Sequence, residues 1–269
     1  MVHVGDIKKG WESCDEERYT DIAEMFVHQD NALNYDARDC FFVPGDNEWS
    51  DCSDRDQAWK YWMESFGNGN MQQRTGVGPN MNSFGTLSDP SIDVAYQTES
   101  LINRFYPSTA SNFAFLTDNV LFIGINQVGG SSIGDEPARL SGNYQWVEEK
   151  MTEYNPKVLV IFAHARFTGT RWSYFGEPFT RLMQRSYPHV ATLYLHGDGH
   201  DFSISTPDSS NANLIDLEVD GGEEADPLLV SVMYDSNADT YSFDVDKRGG
   251  YYYGGCQTGN IDKTWTSSY

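Results

Sequence analysis

Four short runs of apolar residues, each ended by glycine, aspartate or histidine, set the pattern of this chain. They are Val2-His3-Val4 before Gly5-Asp6, and Cys40 to Val43 before Pro44-Gly45-Asp46-Asn47-Glu48. The third is Val158 to Ala163 before His164, and the fourth Val190 to Leu195 before His196-Gly197-Asp198-Gly199-His200. Runs of this length without polar alternation read as strands buried on both faces. Between them, apolar residues at helical spacing predict helices. One covers Asp15 to about His28 (Ile22, Met25, Phe26), and a second Asp54 to Phe66 (Trp59, Trp62, Met63, Phe66). The others cover Gly142 to Tyr154 (Trp146, Val147, Met151) and Glu177 to Tyr187 (Phe179, Leu182, Met183). Phe113 to Thr117 and Val120 to Ile125 flank Asp118-Asn119 and predict a tight hairpin. Leu228 to Tyr234 and Thr240 to Val245 are further strands across a polar turn. Gly67 to Asp93 reads as a long loop, Ser205 to Asp226 as a polar, exposed excursion, and the aromatic tail from Tyr251 as no more than surface packing. No internal repeat is visible. The fold class expected is α/β, a layered β-sandwich flanked by helices, in a single domain over residues 1–269.

Composition narrows the partners. The 269 residues suit one large domain, and 39% hydrophobic with 14% aromatic residues indicates a packed core. Forty acidic against 18 basic residues give a formal charge of −22, which argues against binding a nucleic-acid backbone or an anionic membrane. No apolar run approaches the ~18 residues of a membrane span, and the first residues hold no signal-peptide core. The four cysteines lack the close pairs of a zinc knuckle. A Cys14–Cys52 disulfide is one candidate pairing. It would imply an oxidising compartment, secreted or luminal, and Cys40 reads as a buried thiol. Sequence alone leaves the pairing open, and the oligomeric state unknown.

In open α/β sheets ligands sit beyond the carboxyl ends of the strands, and four such ends here carry Asp, Asn or His. That donor set suits hard or borderline divalent ions, Mn, Fe, Zn or Mg, which polarise phosphoryl oxygens and supply hydroxide near neutral pH. The ordered set resembles the calcineurin-like metallophosphoesterases, whose pattern runs Asp-x-His, Gly-Asp, Gly-Asn-His-Asp/Glu, a lone His after a strand, and Gly-His-x-His. Gly5-Asp6 is similar to the second motif and Gly45-Asp46-Asn47-Glu48 to the third; His164 is similar to the lone His, and Gly197-Asp198-Gly199-His200 to the last. The likeness covers roughly residues 2 to 203. It implies hydrolysis of a small-molecule phosphomonoester or phosphodiester by a metal-bound hydroxide. Asp6, Asp46, His164, Asp198 and His200 would hold one or two ions, and Asn47 and His200 would be the catalytic candidates, Asn47 orienting the phosphate.

Three departures define the alternative. The opening Asp-x-His strand of the family is missing, which leaves Asp6, Asp46, His164 and Asp198 for one metal and only Asp6 and His200 for the other. Asn47 stands where the family has a His, and an amide cannot act as a general acid. Asp198 stands where the family has a further His. The alternative is therefore a truncated, catalytically weak or inactive relative that binds metal or phosphate. A plain acidic calcium-binding protein is a third reading, carried by composition alone. Other residues have quieter roles: Arg166 reads as the partner of a surface carboxylate, His196 is ambiguous between facing the crevice and pointing away from it, and His3, His28 and His189 read as ordinary. Glu48 either supports a ligand by a hydrogen bond or caps the next loop.

Overall fold

The computed structural model describes residues 1–28, 37–67, 84–97, 111–130, 136–206, 213–221, 228–235, 237, 240–246 and 263–265. The loop expected over 67–93 and the tail after 251 fall largely outside these residues. Twelve strands are described: β1 (Val2–His3), β2 (Phe41–Phe42), β3 (Val94–Tyr96), β4 (Phe113–Thr117), β5 (Val120–Gly124), β6 (Val158–Phe162), β7 (Ala191–His196), β8 (Ser203–Ser205), β9 (Leu214–Glu218), β10 (Leu229–Asp235), β11 (Thr240–Asp246) and β12 (Lys263–Trp265). The longer helices are α1 (Glu16–His28), α2 (Arg55–Phe66), α3 (Glu136–Tyr154) and α4 (Glu177–Ser186). The protein is mixed α/β, with a large mixed sheet flanked by helices.

That sheet has seven strands in the order β3-β4-β5-β6-β7-β9-β8. Its centre, β5 through β9, is parallel, and antiparallel pairs close both edges. The β4–β5 hairpin turns at Asp118 and Asn119, both at positive φ (48° and 64°), the primed geometry that matches strand twist. α2 starts where the Asp54 side chain accepts from the Gln57 amide, and stops where Gly67 N–H donates to Met63. α3 and α4 cover one sheet face, with Trp146, Val147, Phe179 and Met183 packed on Leu121, Ile161 and Tyr194. β10 and β11 cover the other, Phe243 and Val245 meeting Val160, Leu193 and Leu217. The small parallel pair β1–β2 lies between the large sheet and two helices. Phe41 and Val43 pack toward Phe113 and Phe115, while Phe42 packs under α1 and α2 with Trp62 and Phe66. Alternation along one short strand thus joins two cores.

Three expectations need correction. The stretch from Ser205 to Asp226 is not an exposed excursion throughout: Leu214–Glu218 forms the buried strand β9 between β7 and β8. Its Asp216 and Glu218 read as polar loop, but both are buried against Arg166 and Ser205. α3 begins six residues before Gly142, because buried contacts of Arg139 and Leu140 outweigh the low helix propensity around Ser141-Gly142. Within the tail, Lys263–Trp265 pairs antiparallel with β11. No helix among the described residues is long and apolar enough to cross a membrane.

His3, the β1 residue beside Phe42, carries a pH consequence. Its ring stacks on Phe42 (centroids 6.2 Å apart) and meets the edge of Phe26. Burial, helped by the nearby His164, pushes its pKa down to about 4. The folded value lies below the unfolded one, so this contribution to stability is complete above pH ~6.5 and is lost as pH falls through about 4. Urea titrations should show the wild type losing up to roughly 3 kcal/mol across that window. His3→Phe should remove most of that slope; an unchanged slope would reject the assignment.

Candidate metal centre

The loops after β1 and β2 come close because both contain glycine. Gly5 has φ +91°, and a Cβ there would lie 2.5 Å from His164 Nδ1 and 2.7 Å from the Gly45 Cα. A Cβ on Gly45 would lie 2.2 Å from the Asp6 nitrogen. No side chain fits between these backbones, so Asp6 and Asp46 are carried to one point. Asp6 itself sits at φ 55°, a left-handed turn that aspartate tolerates. His164 arrives from the end of β6, and Asp198 and His200 from the end of β7.

His164 is the hub and is fully buried. Its Nδ1 lies 2.9 Å from the Val4 carbonyl, a bond that fixes the ring with a proton on Nδ1. Nε2 is then aimed at carboxylates: 3.2 Å from Asp46 Oδ1, 3.4 Å from Asp6 Oδ1 and 3.4 Å from Asp198 Oδ1. His200 closes the far side, its Nε2 3.1 Å from Asp6 Oδ2. Asp6, Asp46 and His164 present ligand atoms all within 4.8 Å of one another, a group that could hold a metal ion. Five of the six predicted site residues are thereby linked through Asp6 and His164.

The electrostatics show what such a cluster lacks. Burial works against charge on His164, but the carboxylates of Asp198, Asp46 and Asp6 outweigh it and raise its pKa well above the usual value. Burial also acts on Asp46, yet hydrogen bonding to His164 brings its carboxyl down to about 2. Asp6 is raised, first by burial and then by Asp46 next to it, with His164 pulling the other way. Three carboxylates facing one imidazole leave excess negative charge that a cation would balance.

Asn47, the sixth predicted residue, sits on the rim. Its N–H donates to Asp6 Oδ1 (3.3 Å), and its Nδ2 donates to the Lys8 carbonyl (3.2 Å). The adjoining Cys14–Cys52 disulfide, a candidate pairing in the sequence, is formed. The Asn47 carbonyl packs 3.8 and 3.5 Å from its two sulfurs, contacts without a proton because neither sulfur carries one. The residues of the rim that sequence did not single out are Lys8 and the glycines after β5. Lys8 is buried, and its Nζ donates to the carbonyls of Lys9 and Glu12, which holds the rim loop in shape. A Cβ at Gly129 would lie 2.1 Å from Asp198 Oδ1, and one at Gly130 (φ +64°) 2.7 Å from Asp46 Oδ2. In the sequence these glycines signal only the end of a hairpin. Their role depends on a floor that exists only once β5 sits beside β6.

Glu48 is buried completely, and its Oε1 accepts from the Gly45 N–H at 2.8 Å. It thus holds the glycine contact from below, and burial beside Asp6 pushes its pKa up to about 7. His196 points away from the cluster toward Asp216, and Arg166 donates to Glu218 at 2.5 Å. The side chain of His28 lies outside the described residues. No known protein family matches this chain, and no curated protein matches it.

Proposed function

We propose that this protein is a metal-dependent phosphoric ester hydrolase of the calcineurin-like metallophosphoesterase kind, acting on a small-molecule phosphomonoester or phosphodiester. The observation that carries this reading is the meeting of Asp6, Asp46 and Asp198 at His164 Nε2 (3.2–3.4 Å), delivered by four separate strand ends. The large mixed sheet with its flanking helices supports the layered arrangement that the resemblance implies. When bound, a divalent ion would supply Lewis-acid polarisation of the phosphoryl group and an activated water at neutral pH.

The chain's own residues have separate tasks. Asp46, His164, Asp198 and Asp6 would hold the ion, and the other carboxylate oxygen of Asp6 faces His200 Nε2 at 3.1 Å. Asn47 keeps its backbone N–H on Asp6, and its amide orients a phosphate oxygen at the rim. His200 is half-exposed and would pass a proton to the leaving oxygen, which an amide at Asn47 cannot do. The disulfide favours an oxidising, secreted or luminal setting.

A second reading, a weak or inactive relative that binds metal or phosphate, is favoured by the Asn47 amide, which already donates to Lys8. One experiment separates the two. The purified chain is offered Mn, Fe, Zn or Mg, bound metal is counted by elemental mass spectrometry, and p-nitrophenyl phosphate turnover is followed. One or two ions per chain with turnover is the expected result. Bound metal without turnover favours the second reading, and no bound metal rejects the first reading and the metal-binding form of the second.

A further inference from the structure

On the far side of the His164 segment lies a cavity of about 290 Å³, lined by Arg166, Phe167, Trp172, Ser205 and Asp216. It is assembled on the sheet face where β7, β9 and β8 run side by side, with Tyr194 opposite Asp216 and Asp216 opposite Ser205. It adjoins the proposed metal centre through two links. Arg166 follows His164 by two residues and donates to Glu218. Glu218 in turn is packed on Gly199, between Asp198 and His200, where a Cβ would lie 1.9 Å from Glu218 Oε1.

Polar groups in and behind this cavity have capacity that the protein does not use. Asp216 is buried; its Oδ2 accepts from Ser205 Oγ (3.2 Å), but its Oδ1 has no hydrogen bond. The fully buried His196 brings Nε2 to 3.1 Å from that oxygen, yet off the angle a hydrogen bond needs, and both of its ring nitrogens are without one. Arg166 Nε is likewise without one, 3.6 Å from Asp216 Oδ2. Buried polar atoms left in this way normally have a ligand or water as partner.

We propose that this cavity receives the sugar ring of the substrate, with a vicinal diol placed against the paired Asp216 carboxylate and Arg166 guanidinium. The two charged lining residues, Arg166 and Asp216, lie 3.6 Å apart and offset each other, so the occupant is neutral. It must both donate and accept at neighbouring positions, as each hydroxyl of a diol does. Phe167 and Trp172 give the apolar wall against which the C–H face of a ring packs. The assignment rests on the phosphoester reading for the identity of the substrate, but the cavity can be tested without turnover.

Saturation-transfer NMR on the metal-free full chain would use methyl β-ribofuranoside, its 2-deoxy analogue, methyl glucopyranoside and free adenine. Transfer to either diol-bearing ring supports the proposal, and the stronger of the two tells a pentose from a hexose source. Loss of the 2-hydroxyl should weaken ribofuranoside binding about tenfold to a hundredfold. Ser205→Ala and Asp216→Asn should weaken both rings. Ser205 lies on an edge strand, so its variant keeps the test valid if Asp216→Asn does not fold. Equal transfer to the deoxy ring, adenine binding without diol dependence, or no transfer at all would overturn the proposal. Turnover of p-nitrophenyl phosphate, which has no diol, reports on the phosphoesterase reading separately. Ring binding without that turnover would leave the cavity assignment in place.

Discussion

Replacing His164 with alanine is expected to abolish metal retention and with it phosphoester hydrolysis. The ring is fully buried, anchored at Nδ1 by the Val4 carbonyl, and its Nε2 faces Asp6, Asp46 and Asp198 together. Losing an outer partner of a metal ligand typically costs about 10–100-fold in affinity or activity, and the loss of a ligand itself should exceed that. The same change removes the cation that the carboxylates face in the metal-free protein and unpairs Val4, so stability must be measured alongside. Asp198→Asn is the better control, since Asp198 is more exposed and its removal relieves negative charge. Thermal unfolding of both variants, with bound metal and p-nitrophenyl phosphate turnover, decides the matter. His164→Ala retaining wild-type metal content while folded would sink the proposed centre.

How much of this centre can be read from sequence depends on the distance over which each residue acts. Gly5-Asp6, Asp46-Asn47, His164 and Asp198–His200 are legible because each lies directly beyond an apolar run, a signal local to a few residues. The strands themselves are legible for the same reason; β6 and β7 are buried along nearly their whole length. β9 is not legible, because Asp216 and Glu218 make a five-residue strand look like an acidic loop. The Arg166 guanidinium, some 50 positions earlier in the chain, makes their burial tolerable together with hydroxyls of the edge strand β8. Gly129 and Gly130 fail in the same way: their lack of a Cβ matters to Asp198 and Asp46, and neither neighbour is close in sequence. His196 illustrates the opposite case. It ends β7 in register with Glu218, and faces Asp216 while Asp198, two residues on, faces His164. Only the turn at Gly197 separates a residue packed behind the cavity from a residue of the cluster.

Breaking the Cys14–Cys52 bond is expected to have the largest effect on stability. The bond closes a loop with a sequence separation of 38 residues. On the chain-entropy model a loop of that length corresponds to about 4 kcal/mol at 25 °C. The paired variant Cys14→Ser with Cys52→Ser should therefore unfold at a clearly lower urea concentration, with little change in slope. The effect should also reach the metal centre, because the disulfide packs on the Asn47 carbonyl, and Asn47 holds both Asp6 and the Lys8 carbonyl. A chain that merely lost denatured-state constraint would keep its metal affinity while its urea midpoint fell. A chain whose rim was positioned by the bond would lose affinity as well. Both measurements on the same double variant, made well below its unfolding midpoint, tell these apart. If the unfolding free energy stays within about 0.5 kcal/mol of wild type, the size of a neutral surface change, the bond does not constrain this fold.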